Sequence, residues 1–450
     1  MKESLTLSMI VRDGAPWLAA CLDSARDIAD QIVIADTGSV DDSIAIARSR
    51  GATVFVIPWH DDFAAARNAA LERVPAGWVL SLDADEQLDR HAQPQVTALL
   101  KTKHIAGYQV TIRNYVHSLS DRLWDRPARR NDSILPAAAK YPAYVEHQNV
   151  RLFRKAANIR FVGRVHESVG PSIEQSGQSL GEAGFVIHHF GLANDPQSQA
   201  RKNNFYRQLG QQKIREMPDN AQAHFELGLL EMDNFHNLEE SSQLFSRART
   251  LNPRFGLAWF FEGLALEKLG RHAVALRCLA EAEQAGCRTA LVSETRGDAH
   301  YNTSQFASAC ECYATAMRRD PGNASLQSKL GLATLRAGDR NRGIRALRRA
   351  AEDAPQTADV HDRLILALVC AGDVRSAATA ANAKLKSVSE AMSSDFLRAA
   401  SLWAKAGEWR IAAEITQKGL RAFPEDQNLQ KAADEIASAP SIPTLVSHAK

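Results

Sequence analysis

The chain has 450 residues, which exceeds one ordinary domain and predicts two or three. Its 45% hydrophobic and 24% charged residues are typical of a soluble globular protein, and a net charge of +2 gives no general argument for nucleic-acid binding. We expect neither a membrane-spanning helix nor a secretory signal, because no long apolar run is present. Six scattered cysteines indicate free thiols. The expected localisation is therefore cytoplasmic, with peripheral attachment to the inner face of the membrane left open.

Strand-like and helix-like segments alternate over residues 5–115. The predicted strands are 5–11, 31–35, 53–57 and 78–82, and the predicted helices are 15–28, 43–50 and 63–74. This order predicts βαβ units, and hence a Rossmann-like, mainly parallel sheet with helices on both faces. Ligands of such sheets bind at the carboxyl ends of the strands.

The strand at 78–82 ends in Asp83-Ala84-Asp85-Glu86. Carboxylates this close repel one another unless a cation neutralises them. Mg²⁺ and Mn²⁺ take oxygen ligands of this kind and commonly keep substrate phosphates as further ligands. The pattern therefore indicates a metal–diphosphate site, and an ordinary acidic turn is the alternative.

The strand at 31–35 is followed by Asp36-Thr37-Gly38-Ser39-Val40-Asp41-Asp42. Gly38 permits a tight turn, and the carboxylate of Asp36 reaches the strand end, where it can accept hydrogen bonds from a base. A plain loop is the alternative interpretation. The position of this segment, one βα unit before the acidic motif, favours a nucleotide site.

Three further segments accompany these two motifs: Met9-Ile10-Val11, Pro58-Trp59 and Ala66-Arg67-Asn68. In this order and spacing the five segments resemble the family-2 glycosyltransferases of the GT-A fold, over residues 5–193. The resemblance implies an enzyme that moves a sugar from a nucleotide-diphosphate donor to an acceptor hydroxyl, with inversion at the anomeric carbon.

The same resemblance implies roles for individual residues. Asp36 would bind the nucleobase on the turn at Gly38, and Asp41 would lie near the nucleotide. Asp83 and Asp85 would hold the ribose and a divalent metal, Mn²⁺ or Mg²⁺. The guanidinium of Arg67 suits phosphate oxygens, and its alternative is a helix-surface side chain paired with Asp61 or Asp62.

The acceptor side is expected beyond residue 116. Residues 117–147 are rich in Arg, Asp and Pro, which predicts an irregular insertion. Inverting transfer needs a base for the acceptor proton, and we assign Glu167, with His166 beside it. An outward salt bridge of Glu167 is the alternative. By the resemblance, His188 or His189 would complete the metal sphere. Alternation along a strand lets only one of the two rings reach the site. We assign His188. Backbone hydrogen bonds of both rings are the alternative.

From residue 221 onward a period of 34 or 35 residues replaces the strand pattern. Glycines at 228, 263, 297 and 331 mark successive units, and those at 270, 338, 372 and 407 mark turns within units, with Ser304 standing in once. This resembles the tetratricopeptide repeat (TPR), an all-α hairpin that stacks into a superhelix with a groove suited to a protein partner.

These observations predict a GT-A glycosyltransferase domain at 1–195, a connecting helix or linker at 196–220, repeats with a capping helix at 221–436, and a disordered tail at 437–450. The acceptor is left open between a glycan, a lipid-linked glycan and a polypeptide. The alternative function is a non-catalytic, nucleotide-binding adaptor whose repeats scaffold a protein complex.

Overall fold

The computed structural model describes residues 3–89, 91–117, 122–123, 126–191, 196–388 and 391–438. Backbone contacts divide the chain into two compact units, Met1–Asn237 and Leu238–Lys450. The domain boundaries at 195 and 220 stay predictions. Most of the predicted tail, and Trp124 in the predicted insertion, lie outside the described residues.

The first unit combines a β-sheet with helices, which confirms the predicted α/β class of this part of the chain. Its strands are β1 (Leu5–Val11), β2 (Gln31–Asp36), β3 (Thr53–Val56), β4 (Trp78–Ser81), β5 (Glu86–Leu88), β6 (Ile105–Val116), β7 (Arg122–Leu123), β8 (Arg126–Pro127), β9 (Arg129–Arg130), β10 (Ala143–Arg154) and β11 (Ser179–His189). The order along the sheet is β3-β2-β1-β4-β10-β6-β11-β5, with β9 beside β10 and a separate β7–β8 pair.

Helices cover both faces of this sheet. They are α1 (Ala15–Ala25), α2 (Ser43–Ser49), α3 (Phe63–Glu72), α4 (Ala92–Leu99) and α5 (Gly170–Gln175). The first unit ends with two further helices, α6 (Pro196–Glu216) and α7 (Ala221–Asp233). Strand residues alternate between two cores: Ile34 and Leu80 pack with α1, α2 and α4, whereas Val33 and Val79 pack with α3 and α5.

Two expectations about this sheet need correction. Strands β3, β2, β1 and β4 run parallel as predicted, but β10 pairs antiparallel with β4 and β6, so the sheet is mixed rather than mainly parallel. The predicted insertion also extends too far. Residues 143–147 belong to β10, where Ala143 and Val145 point into one core and Tyr144 points into another.

The second unit is helical throughout its described residues. Its helices are α8 (Leu238–Leu251), α9 (Gly256–Lys268), α10 (His272–Gln284), α11 (Ala290–Asn302), α12 (Phe306–Arg319), α13 (Ala324–Arg336), α14 (Arg340–Asp353), α15 (Ala358–Cys370), α16 (Val374–Ser387), α17 (Ser393–Lys405), α18 (Trp409–Ala422) and α19 (Gln427–Ala437). Within the part of the chain that the structure describes, no helix is long and apolar enough to cross a membrane.

The turns between paired helices follow the predicted period. Gly270, Gly338, Gly372 and Gly407 all adopt positive φ, and Ser304, which replaces glycine in one unit, also has φ +60°. A side chain at positive φ is strained, so the conformation of Ser304 shows that the turn geometry is imposed by the helix pair. The period thus encodes tetratricopeptide-like hairpins.

Candidate active site

Asp36 ends β2 and shapes the loop that follows it. Its Oδ1 accepts hydrogen bonds of 2.9 Å from the backbone N–H groups of Gly38 and Ser39, and Gly38 has φ +106°. Its Oδ2 is buried and has no hydrogen-bond partner among the described residues. A buried acceptor without a donor is costly. The carboxylate can therefore accept a hydrogen bond from a ligand N–H at the strand end.

Asp41 ties neighbouring loops together. Its Oδ2 accepts from the Ala15 N–H at 2.9 Å, and its Oδ1 accepts from the N–H of Ser43 at 2.9 Å and from its hydroxyl at 2.5 Å. Desolvation opposes ionisation of this exposed carboxylate, but its hydrogen bonds lower the pKa of Asp41. Both oxygens are thus used in positioning the loops after β1 and β2.

Asp83 follows β4 between two arginines. Its Oδ1 lies 2.5 Å from Nη2 of Arg67, and its Oδ2 lies 3.2 Å from Nη2 of Arg151. Burial alone would raise the pKa of Asp83, but the two guanidinium groups hold it well below its usual range. Asp83 is therefore ionised, with each oxygen bonded to a cation of the chain.

Arg67 connects Asp83 with Glu167. It is only 6% exposed, it bonds Ser81 Oγ at 3.3 Å, and its Nε donates to Glu167 Oε1. Burial would lower the pKa of Arg67, but Asp83 and Glu167 raise it. The surface alternative, with Asp61 or Asp62 as partner, is wrong. Arg67 shares the buried face of α3 with Ala64 and Leu71, three residues before it and four after.

The alternative of an outward salt bridge for Glu167 is wrong as well. The Glu167 side chain is 11% exposed and turns inward to Arg67. Its Oε2 has no hydrogen bond to any residue that the structure describes. Its neighbour His166 is exposed and has φ +54°, an uncommon backbone conformation that tends to concentrate at functional sites. Arg67 thus orients one carboxylate oxygen of Glu167 and leaves the other available.

Arg151 and Glu86 belong to this cluster but had no assigned role. Glu86 is 1% exposed, accepts from Nη2 of Arg151 at 2.8 Å, and accepts from the Asp83 N–H at 2.8 Å. Burial and the charge of Asp83 raise the pKa of Glu86 to about 7. No local sequence signal marks Arg151, because only the pairing of β10 with β4 brings it to the strand end that bears Asp83.

His189, rather than His188, faces the acidic motif. Its Nε2 lies 3.5 Å from Asp85 Oδ2, and its Nδ1 lies 2.8 Å from Oδ1 of Asn114. His188 is on the opposite face of β11, where its Nδ1 lies 2.8 Å from the Tyr115 hydroxyl. We therefore move the assignment from His188 to His189. Burial would lower the pKa of His189, but Asp85 and the neighbouring carboxylates raise it.

Asp85 and His189 are the residues that fit a divalent cation. Asp85 supplies a carboxylate oxygen and His189 an imidazole nitrogen, whereas Asp83 is engaged by arginines. A Cβ at Gly191 would come within 2.0 Å of Asp85 Oδ2 and 2.8 Å of His189 Nε2, so glycine leaves this space open. Among the described residues no group of three or more His, Cys, Asp or Glu side chains could hold a metal. A cation would need further ligands from a diphosphate and water.

Comparisons with known proteins identify the family of the N-terminal part of the chain. Residues 7–161 match the model of glycosyl transferase family 2. This part of the chain is a family-2 glycosyltransferase domain. The match spans β1 to β10 and includes Asp36, Arg67 and the acidic motif.

One similar protein is named for TPR repeats and another for glycosyl transfer. A TPR repeat-containing protein of Synechococcus elongatus is 30% identical over 230 residues, which cover 50% of this chain and 51% of that protein. An uncharacterized glycosyltransferase of Rickettsia typhi is 24% identical over 40% of this chain and 62% of its own length. The chain thus spans only about half to three fifths of these relatives.

Among solved structures, that of PilW, a widely conserved type IV pilus biogenesis factor, is similar. It is 16% identical over 47% of this chain and 97% of PilW, with a TM-score of 0.41. The helical hairpins described above, and not this overlap, establish the repeat architecture.

Proposed function

We propose that the protein is a metal-dependent, inverting glycosyltransferase that moves a sugar from a nucleotide-diphosphate donor to an acceptor hydroxyl. The observation that carries the proposal is the unsatisfied Oδ2 of Asp36 at the same sheet edge as the Asp83–Arg67–Glu167 chain. The first supports recognition of a base, and the second supports transfer chemistry, because both lie at the carboxyl ends of parallel strands.

The donor would bind with its base N–H directed at Asp36 Oδ2 and its ribose directed at Asp83. Arg67 and Arg151 fix Asp83 in its ionised form, so the carboxylate accepts hydrogen bonds without taking up a proton. A divalent cation held by Asp85 and His189 would stabilise the charge that develops on the diphosphate leaving group.

Glu167 would act as the base. Its free Oε2 takes the proton of the acceptor hydroxyl, while the acceptor oxygen bonds to the anomeric carbon and the bond from that carbon to the diphosphate oxygen breaks. Arg67 holds Oε1 of the same carboxylate, which restricts the side chain to one orientation. The repeats would select the acceptor or recruit a protein partner.

Slow hydrolysis of the donor tests this function without knowledge of the acceptor. The full chain is incubated with Mn²⁺ and a panel of UDP-, GDP- and dTDP-sugars, and release of the nucleotide diphosphate is measured. We expect release from at least one donor and its loss in Asp85→Ala. Asp27→Ala, which removes an exposed carboxylate outside the site, is the matched control. Silence across the panel would instead support the adaptor function.

A further inference from the structure

Helix α6 lies beyond the family-2 match and brings aromatic side chains to the candidate base. The centroid of the Tyr206 ring lies 6.0 Å from that of the Phe63 ring, with an interplanar angle of 19°. It lies 6.4 Å from the centroid of the His166 ring, with an interplanar angle of 13°. Trp59 contacts Phe63 edge-on at 4.8 Å. Phe63, Tyr206 and His166 thus form three nearly parallel rings, here called the ring platform, and His166 immediately precedes Glu167.

Polar contacts anchor α6 against the loop that carries the candidate base. Nζ of the buried Lys213 donates to the Val165 carbonyl at 3.0 Å and pairs with Glu226 at 2.7 Å. Arg164 pairs with Glu216 through bonds of 2.8 and 3.1 Å. A buried ammonium group and a two-pronged arginine contact thus hold α6 against this loop.

Arg164 also joins the loop that precedes α3 to the loop that carries His166. Its Nη1 donates to the carbonyls of His60 and Asp61, at 3.2 and 3.0 Å, and its own carbonyl accepts from the Phe63 N–H at 2.9 Å. Asp61 has φ +56°, close to the +54° of His166. Such conformations persist only where surrounding contacts hold them. The positions of Phe63 and His166 are therefore fixed together.

The charges of Glu167, Asp83 and Asp85 act on the hydroxyl of Tyr206. It has no hydrogen bond to any residue that the structure describes. Burial, followed by the charges of Glu167, Asp83 and Asp85, raises the pKa of Tyr206 to about 12. At neutral pH the side chain thus offers a protonated phenol, a hydrogen-bond donor and acceptor, on the ring that stacks with His166, the neighbour of Glu167.

We propose that Phe63, Tyr206 and His166 form the acceptor subsite and bind an acceptor sugar ring, with the Tyr206 hydroxyl positioning the hydroxyl that reacts. The inference rests on the proposed transferase function. Aromatic rings offer flat apolar contact to the C–H face of a sugar, and Tyr adds a polar tip. An extended peptide would instead be bound through free backbone groups. Those of His60, Asp61 and Arg164 named above are already used.

Saturation-transfer NMR of the full chain with methyl glycosides of glucose, galactose, mannose and N-acetylglucosamine tests the subsite without any donor. We expect at least one glycoside to bind. Tyr206→Phe, which removes one hydrogen bond, should weaken that binding about three- to tenfold, and His166→Ala should weaken it too. Tyr108→Phe is the matched control, because its hydroxyl bonds the Leu99 carbonyl away from the site.

Absence of binding by every glycoside would overturn the inference, as would equal affinities in Tyr206→Phe and Tyr108→Phe. Apolar tripeptides that bind in a Tyr206-dependent manner, in place of the glycosides, would also overturn it and assign a polypeptide acceptor. Donor hydrolysis by the wild-type chain is measured separately. If the donor is hydrolysed but no glycoside binds, only the proposed acceptor subsite is refuted. If the donor is not hydrolysed, the proposed transferase function is refuted.

Discussion

Arg67 determines the electrostatics of the candidate site, because it neutralises Asp83 and Glu167 at once. Arg67→Met would leave the partly buried carboxylates of Asp83 and Glu167 with one cation fewer, and removing one partner of a buried pair costs about 3–5 kcal/mol. We expect a loss of that order in the free energy of unfolding, measured with urea. Arg48→Met, at an exposed position of α2, should cost little. Equal stability of the two variants would contradict the network.

Glu167→Gln separates orientation from proton transfer. The amide oxygen can still accept from Arg67 Nε, so UDP affinity in the presence of Mn²⁺ should stay the same. Because the amide cannot take a proton, donor hydrolysis should fall by about 10²–10⁴. Glu174→Gln, on the exposed side of α5, serves as the control. Unchanged hydrolysis in Glu167→Gln would exclude it as the base.

His147 gives the first unit a pH dependence of stability. Burial, together with Arg151 and His189, lowers its pKa from 6.5 to about 4. Between these values the unfolded chain binds more protons, so the free energy of unfolding should decrease as the pH falls from 6.5 to 4, by about 3 kcal/mol at most. His147→Gln should reduce this slope in chemical denaturation at several pH values. An identical slope would contradict the assignment.

At the residue scale, the sequence predicted the groups at strand ends but not their partners. Asp36, Asp83 and Asp85 were found because carboxylates directly follow apolar runs. The choice between His188 and His189 needed the register of β11, which pairs His189 with Glu86. Arg151 needed the neighbouring position of β10 and β4, a contact between segments about 70 residues apart.

At the scale of elements, local periodicity predicted the parallel strands and their helices but not the first residues of β10 or the role of α6. Strand β10 has a polar stretch at 146–149, and its first residues directly follow a segment rich in Arg, Asp and Pro, so they were assigned to the insertion. Helix α6 is mostly polar, and the few side chains that dock it, Tyr206 and Lys213 among them, are recognisable only from the loop they contact.

Gly191, which follows β11, lies beside Asp85 and His189, so its substitution tests the proposed metal site. The Cβ of Gly191→Ala would overlap Asp85 Oδ2, so the Asp85–His189 pair must separate. We expect Mn²⁺-dependent UDP affinity to fall about tenfold or more, with an unchanged melting temperature. Gly170→Ala, whose Cβ would lie 3.4 Å from Ser168 Oγ, is the control. Unaltered affinity in Gly191→Ala would argue against these ligands.

At the scale of the whole molecule, the repeat unit was the easiest feature to predict. Each hairpin depends on neighbours close in the chain, so glycines and small residues recur at one period. Contacts between successive repeats also join residues that are close in the chain. Lys384 of α16, for example, pairs with Asp362 of α15 and Asp395 of α17 at 2.9 and 2.7 Å. The ligand of the repeats is not encoded in that period, because the periodic positions serve packing.

The central claim is that the strand ends bind a nucleotide diphosphate, and calorimetry with Asp36→Asn tests it most directly. Asparagine retains the oxygen that accepts from Gly38 and Ser39 but replaces the unsatisfied oxygen with a donor. UDP, GDP and dTDP, each with a ring N–H, are titrated with Mn²⁺ into both proteins. We predict binding of at least one nucleotide by the wild-type chain and its loss in Asp36→Asn. No heat from any nucleotide, or equal affinity in the variant, would contradict the account.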